Sequence, residues 1–273
     1  MAGAERIRLL ISDVDGTLVT SDKQLTPATI TAVAKLHEAG MQFAVVSSRP
    51  PRGMAMLVEP LRIDTYLAGF NGGAIVRPDQ TPVEERTVPR AAAEASLCVL
   101  EQAGVDIWVF ANGEWLVTNP DGAYVARERR AVQFGPVVVP NFAPYVDHAG
   151  KVVGSSRDFE MLARVESKLQ AELGGTASAR RSQRYYLDIT HPDANKGTAA
   201  RDLAALIGVP IEQTACIGDM ENDVPMLKIA GLSIAMGNAP PAVQAIADEV
   251  TTSNDSDGFA AAVERVILPR AAR

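Results

Sequence analysis

The stretch Ile7–Leu18, reading I-R-L-L-I-S-D-V-D-G-T-L, constrains the chain more than any other. Its apolar run predicts a strand buried on both faces. That strand delivers Asp13 and Asp15, one residue apart, to its carboxyl end, and Gly16 lets the backbone turn just beyond them. Two carboxylates placed there suit a metal ion or acid–base chemistry. A plain Asp/Gly turn has the same appearance, so the pair acquires meaning only from partners elsewhere in the chain.

The chain has 273 residues, enough for a substantial core and more naturally for two domains than one. With 47% hydrophobic and 22% charged residues, it reads as globular rather than disordered. A formal charge of −7 argues against non-specific binding to nucleic acid or an anionic membrane. Cys98 and Cys216 read as reduced, buried small hydrophobes of a cytoplasmic protein. Three histidines make a zinc site improbable on composition. Neither a signal region nor a membrane-length apolar run is visible.

From the first strand to about residue 82, strand and helix alternate with short loops. Thr26-Pro27 marks a helix start and Gly40 its end. Phe43–Val46 is a second buried strand leading into Ser47-Ser48-Arg49-Pro50. Tyr66–Ala68 is a third, ending in Phe70-Asn71-Gly72-Gly73. This order predicts a parallel, doubly wound sheet that binds ligands at the carboxyl ends of its strands.

The rhythm then changes. A helix over 90–102 precedes a strand over 105–110, and Asn112-Gly113 is a hairpin signal. A helix over 124–130, a strand over 151–154, an amphipathic helix over 158–173 and strands over 176–179 and 185–190 complete a smaller mixed α/β segment. The alternation returns at Asn195, with Lys196 opening a helix and the strand Thr214–Ile217 delivering Gly218-Asp219-Met220-Glu221-Asn222-Asp223. A strand over 232–235, a helix over 241–247, a short strand at Val250 and a terminal helix carrying Phe259, Val263 and Val266 follow. The expected fold class is thus α/β: a doubly wound parallel sheet with a smaller α/β domain inserted. The domain limits read as 1–82 and 190–273 for the main domain and 83–189 for the insertion.

Singly, Asp219 and Asp223 read as helix caps, Ser47 as a loop hydroxyl and Lys196 as a solvated residue. Together they place carboxylates, a hydroxyl, an amide and a lysine on one sheet edge. Converging carboxylates need a cation, and oxygen ligands without a His/Cys cluster favour Mg²⁺. Phosphoryl transfer needs the remainder: a nucleophile, an acid–base group and donors to the equatorial oxygens.

These motifs resemble the haloacid dehalogenase (HAD) superfamily phosphatases of the type IIB, or Cof-like, subfamily. The resemblance rests on Asp13–Leu18, Ser47–Pro50, Asn71–Gly73, Asn195–Gly197, Gly218–Asp223 and Met236–Ala239, and it covers nearly the whole length. It implies a Rossmann-like core, a C2B-type cap, Mg²⁺ as cofactor and hydrolysis of small phosphomonoesters, sugar phosphates being the commonest class. Asp13 would be the nucleophile and Asp15 the acid–base group, with its backbone carbonyl on the metal. Ser47 and Lys196 would hold phosphoryl oxygens, while Ser48, Arg49, Asn71, Gly72 and Asn222 would contact the phosphate or shape its loops. Asp219 would ligate Mg²⁺, with Asp223 in its outer shell. Ser47-Ser48-Arg49 departs from the usual Thr-Gly-Arg but keeps the hydroxyl. The metal is expected to keep Asp13 ionised while Asp15 carries the proton.

Two alternatives stand beside a phosphatase: a C2B-capped phosphomutase and a catalytically silent phosphate-binding regulator. The basic run Arg180–Arg184 reads as a solvated strand edge more than a substrate contact, and His191 as a turn residue. The chain is expected to be cytoplasmic, monomeric or a small homo-oligomer, with neither nucleic acid nor membrane as partner.

Overall fold

The computed structural model describes residues 6–271. Its first part runs β1 (Leu9–Ser12), α1 (Pro27–Glu38), β2 (Gln42–Val46), α2 (Ala55–Leu61), β3 (Leu67–Gly69), β4 (Ala74–Val76) and β5 (Pro82–Glu85). Next come α3 (Arg90–Ala103), β6 (Asp106–Ala111), β7 (Glu114–Val117), α4 (Val125–Val132) and β8 (Val137–Val138). They lead to β9 (Ala149–Ser155), α5 (Phe159–Leu173), β10 (Ser178–Gln183) and β11 (Tyr186–Thr190). The last part holds α6 (Lys196–Ile207), β12 (Thr214–Gly218), α7 (Val224–Leu227), β13 (Leu232–Ala235), α8 (Pro241–Gln244), β14 (Glu249–Val250) and α9 (Gly258–Ala262).

These strands form two sheets. The larger is ordered β14-β13-β12-β1-β2-β3-β4-β5, and its first six strands pair in parallel. Both faces are covered, as the alternation dictates: Leu10, Phe43, Val45 and Ile217 pack with Val33, Leu36 and Phe259 on one side. Leu9, Ile11, Ala44 and Cys216 pack with Leu203 and Met226 on the other. The edge departs from an all-parallel sheet, because β4 and β5 add antiparallel strands through the turn at 70–73. Strand pairing in this sheet therefore runs to Glu85.

The smaller sheet is ordered β10-β11-β9-β6-β7-β8. Asn112 (φ 54°) and Gly113 (φ 74°) turn the β6–β7 hairpin with both residues left-handed, as expected of Asn-Gly. One face of this sheet packs on α3 and α5 through Val109, Leu187, Leu100 and Leu169. The other carries Trp108, Phe110, Trp115 and Tyr186 and meets α4 and Phe70 of the larger sheet.

Helix caps follow the sequence closely. Thr26 accepts from Thr29 N with Pro27 in the first turn, Asp158 accepts from Met161 N, and Asn195 accepts from Thr198 N. The strand expected over 176–179 lies instead over Ser178–Gln183, since a run of Arg, Ser and Gln carries no apolar alternation to mark it. Cys216 is buried as expected, but Cys98 is exposed. It sits on the outer face of α3 and accepts a hydrogen bond from the Gln102 side chain at 3.2 Å.

Candidate active site

β1 carries Asp13 to the edge where β12 ends in Asp219, and the Asp13 N–H donates to Ile217 O at 3.0 Å. α6 begins under both, so its first residue, Lys196, enters from below and is almost fully buried. Its ammonium donates to Asp13 Oδ1 and to Asp223 Oδ1, each at 2.5 Å. Asp223 uses its other oxygen to accept from the backbone N–H groups of Asp219 and Met220, both at 2.9 Å. Asp219 is held from two sides: Thr17 Oγ1 donates to Oδ1 at 3.3 Å and Asn238 Nδ2 to Oδ2 at 3.1 Å.

Asp13, Asp219 and Asp223 each present an oxygen, all within 4.8 Å of one another. Three buried carboxylates against one ammonium leave the cluster short of positive charge. Burial raises Asp13 well above the carboxylate range despite Lys196. Burial and then the Asp223 charge push Asp219 up to about 6. An all-oxygen donor set with excess negative charge fits a hard divalent cation. Asp223 is held by an ammonium and two backbone N–H groups, whereas Asp219 meets only a neutral hydroxyl and amide and Lys196 engages Asp13 through Oδ1 alone, so Asp13 and Asp219 are the carboxylates best able to turn an oxygen to such an ion.

Asp15 lies apart from this trio, because Gly16, at φ 88°, turns the chain there. The Arg49 guanidinium takes its carboxylate in a fork, and Lys23 Nζ lies 2.8 Å from Oδ1. Burial alone would raise Asp15, but the hydrogen bonds and charges of Arg49 and Lys23 hold it well below the usual range. The protein groups by themselves favour a proton on Asp13 and not on Asp15; the ionised Asp13 expected from sequence is the state that a bound cation would favour. Asp15 is held ionised by the two cations that flank it, and Asp13 is drawn towards its proton first by burial and then by the charges of Asp223 and Asp219.

Ser47 sits at the end of β2, buried, its Oγ accepting from Arg49 N at 3.2 Å, which leaves its hydroxyl hydrogen to donate elsewhere. Asn71, left-handed at φ 58°, accepts from Asn222 Nδ2 at 3.2 Å, so the third strand end and the β12 loop are tied together. Gly72 adopts φ 101°, and a Cβ there would stand 2.7 Å from that of Ala199. Ser48 contributes its carbonyl, which accepts from Lys151 of β9 at 3.1 Å. Arg49 also donates to Ala131 O of α4 at 2.8 Å.

A cleft of about 630 Å³ opens beside Asp15, Ser48 and Arg49 and is roofed by α4, Lys151, Tyr185 and Tyr186. A second, more apolar cavity of about 550 Å³ lies between Pro50–Arg52 and the β6–β7 hairpin, and Asp13, Asp15, Asp219 and Asp223 are not among the residues lining it. Arg181 pairs with Glu166 and Arg184 lies over Phe159, while Ser182 and Gln183 of the same edge line the cleft. His191 Nδ1 accepts from Asp193 N in a turn, as expected. Sequence reasoning assigned no role to Thr17, Lys23 or Asn238. Thr17 and Asn238 were visible inside the D-x-D-G-T and M-G-N-A runs; Lys23 had no local signal.

This edge and the inserted second sheet together define a phosphoric monoester hydrolase, and comparison with known proteins agrees. A model of the haloacid dehalogenase-like hydrolases matches residues 10–263. A putative phosphatase of Haemophilus influenzae is 27% identical over 258 residues, spanning 94% of this chain and 97% of that protein. The pyridoxal phosphate phosphatase YbhA of Escherichia coli is 27% identical over 93% of this chain and 96% of its own. A solved haloacid dehalogenase-like hydrolase from Bacteroides thetaiotaomicron is 28% identical, with a TM-score of 0.88 over 96% of this chain and 100% of that one. The chain belongs to the haloacid dehalogenase-like hydrolases. Among the described residues, no helix is long and apolar enough to cross a membrane.

Proposed function

We propose that the protein is a Mg²⁺-dependent phosphatase that hydrolyses small phosphomonoesters, sugar phosphates or related metabolites, through an aspartyl-phosphate on Asp13. The observation that carries this reading is Lys196 seated between Asp13 and Asp223, with Asp219 alongside. Lys196 engages Asp13 through Oδ1, leaving Oδ2 to attack phosphorus. The Asp13–phosphorus bond forms as the ester bond breaks, and the leaving oxygen takes a proton from Asp15. In the second step Asp15 accepts a proton from water, which attacks the acyl phosphate and frees Asp13.

The ionised state that Arg49 and Lys23 favour suits Asp15 to that second step. The first requires its proton, so substrate entry must loosen at least one of the two contacts. Lys196, the Ser47 hydroxyl and the Asn222 amide would meet the phosphoryl oxygens. Asp13 and Asp219 would hold Mg²⁺, with the Asp15 carbonyl and Asp223 in support, and the ion would offset the charge of carboxylates and phosphate. The second sheet with α3, α4 and α5 acts as the cap over this site, excluding water and meeting the leaving group.

A pKa-independent test is direct. Asp13→Asn should abolish phosphate release from p-nitrophenyl phosphate, and acid quenching of the wild type should trap a phosphoenzyme that the variant lacks. Near-wild-type turnover by Asp13→Asn would remove the nucleophile assignment. Against a mutase, the segment between Asp219 and Asp223 is a single short turn, and phosphate release without a bisphosphate activator would separate the two. Loss of turnover with EDTA, restored by Mg²⁺, would distinguish an enzyme from a silent binder.

A further inference from the structure

Asp15 lines the cleft roofed by α4, whereas Asp13, Lys196 and Asp219 do not. The phosphoryl group and the leaving group therefore occupy different places, and the cleft, at about 630 Å³, is of the usual size for a small-ligand site. Five cationic side chains line it against three carboxylates. In a chain of formal charge −7, that surplus is local and does not follow from composition.

Three of the five cations are taken. Arg49 and Lys23 share Asp15, and Lys151 pairs with Asp188, which does not line the cleft. Arg127 and Arg130 have no such partner: among the described residues, no carboxylate forms an ion pair with either guanidinium. Arg127 meets neutral groups, its guanidinium 5.0 Å from the Tyr185 ring centroid and hydrogen-bonded to that phenol. The remaining carboxylates of the cleft do little to offset the two arginines. Glu128 is hydrogen-bonded to Tyr186 and drawn towards its proton by burial, and Asp22 is exposed to solvent.

The two arginines are placed by the same residue that grips the acid–base group. They are three positions apart on α4 and so lie on one face of it. Arg49 forks onto Asp15 and, through Nη1, donates to Ala131 O near the end of that helix at 2.8 Å. Two guanidiniums thus stand on a helix tied to the carboxylate that would protonate the leaving oxygen. A guanidinium presents its N–H donors as a fork that fits a carboxylate or phosphate, and two on one face suit a single oxyanion.

We infer that the substrate carries a second oxyanion, a carboxylate or a further phosphate on its leaving group, and that Arg127 and Arg130 select for it. This rests on the phosphatase reading above and narrows it from phosphomonoesters in general to those with an anionic leaving group. A neutral leaving group would leave the two guanidiniums hydrated and gain nothing from them. An oxyanion replaces that water with charge-assisted hydrogen bonds.

The test assays the full chain with Mg²⁺ on three pairs of esters that differ only in the second anion. They are D-3-phosphoglycerate and sn-glycerol 1-phosphate, 6-phosphogluconate and sorbitol 6-phosphate, and fructose 1,6-bisphosphate and fructose 6-phosphate. In at least one pair, kcat/KM should favour the anionic member by about tenfold or more. The first two pairs respond if the site reads a carboxylate, the third if it reads a phosphate. In the favoured pair, Arg127→Gln and Arg130→Gln should each lower the anionic-to-neutral ratio by roughly tenfold, the loss of a charge-assisted bond, and mainly through KM. Arg127→Lys and Arg130→Lys keep the charge without the fork and should lose less. Arg129→Gln removes a charge from the same helix outside the cleft and should keep the wild-type ratio. All three arginines are exposed, so Tm should stay close to wild type. A smaller preference in every pair would overturn the proposal, as would Arg127 and Arg130 variants that lower both members equally, or Arg129→Gln lowering the ratio as far as they do. Each of these results would leave the phosphatase reading standing. Release of phosphate from none of the six esters would overturn the proposal, and no release from p-nitrophenyl phosphate either would overturn the phosphatase reading with it.

Discussion

Arg49 holds Asp15 with two arms of its guanidinium, Nε to Oδ2 at 2.6 Å and Nη2 to Oδ1 at 2.8 Å. The pair keeps Asp15 ionised, and its pKa lies below that of the unfolded chain. A depressed carboxylate contributes stability that is present above the unfolded value, about 3.9, and lost as pH falls towards the folded one. Arg49→Gln removes the fork. The stability gap between wild type and Arg49→Gln, measured by urea unfolding, should therefore be full at pH 7 and shrink as pH drops below about 4. A gap that stays constant to pH 2.5 would show that the fork does not set the titration of Asp15.

Metal binding should be visible without turnover. Mg²⁺ should raise the Tm of the wild type, because binding to the folded state alone stabilises it in proportion to the logarithm of ligand concentration. Since Asp219 is pushed up to about 6, protons compete for its oxygens, and the shift should diminish as pH falls from 7.5 through 6 to 5. Asp219→Asn should remove most of the shift at every pH. A shift of equal size in that variant would place the ion elsewhere.

Removing the buried ammonium should cost both fold and chemistry. Lys196→Met leaves Asp13 and Asp223 without their shared cation, and breaking a buried pair on one side costs about 3–5 kcal/mol. Urea unfolding should read that loss at pH 7. It should read less at pH 5, where Asp13, already raised by burial, takes up a proton more readily. Turnover of p-nitrophenyl phosphate should fall by about a hundredfold or more.

Gly16 tests the turn itself. It holds φ 88°, and a Cβ there would lie 2.4 Å from Asp219 Oδ2, an oxygen already fixed by Asn238. Gly16→Ala should therefore weaken the Mg²⁺-dependent rise in Tm and cost about 1 kcal/mol or more of stability from backbone strain. Gly40→Ala is the control, since it shares a left-handed φ of 72° but has open space around it. It should lose stability while keeping the full Mg²⁺ response.

The elements that carry the site were legible because each rests on a local rule. Leu9–Ile11, Phe43–Val46 and Ala215–Ile217 read as strands because both faces are buried and the run is uninterrupted. Thr26, Asp158 and Asn195 announced their helices because a cap is a contact between residues three apart. Asn112-Gly113 announced its hairpin because the turn needs two left-handed residues. Strand ends on one edge then brought Asp13, Ser47, Asn71 and Asp219 into view together.

Local rules were silent where long-range contacts decide. The antiparallel β4 and β5 are short and sit at an edge, so they follow from pairing rather than pattern. Cys98 lies in an apolar-looking segment, yet the rotation of α3 against the second sheet turns it outward.

The chain by itself determined which chemical groups are available and that a doubly wound sheet gathers most of them on one edge, because alternation and chain turns are properties of neighbouring residues. Only the tertiary structure decided their charge states and company. Asp13 and Asp15 are two residues apart, but one is crowded by carboxylates 206 and 210 positions away while the other is gripped by Arg49 and Lys23. Solvation and Coulomb interaction act through space, so the difference between two aspartates on one strand is written in the fold.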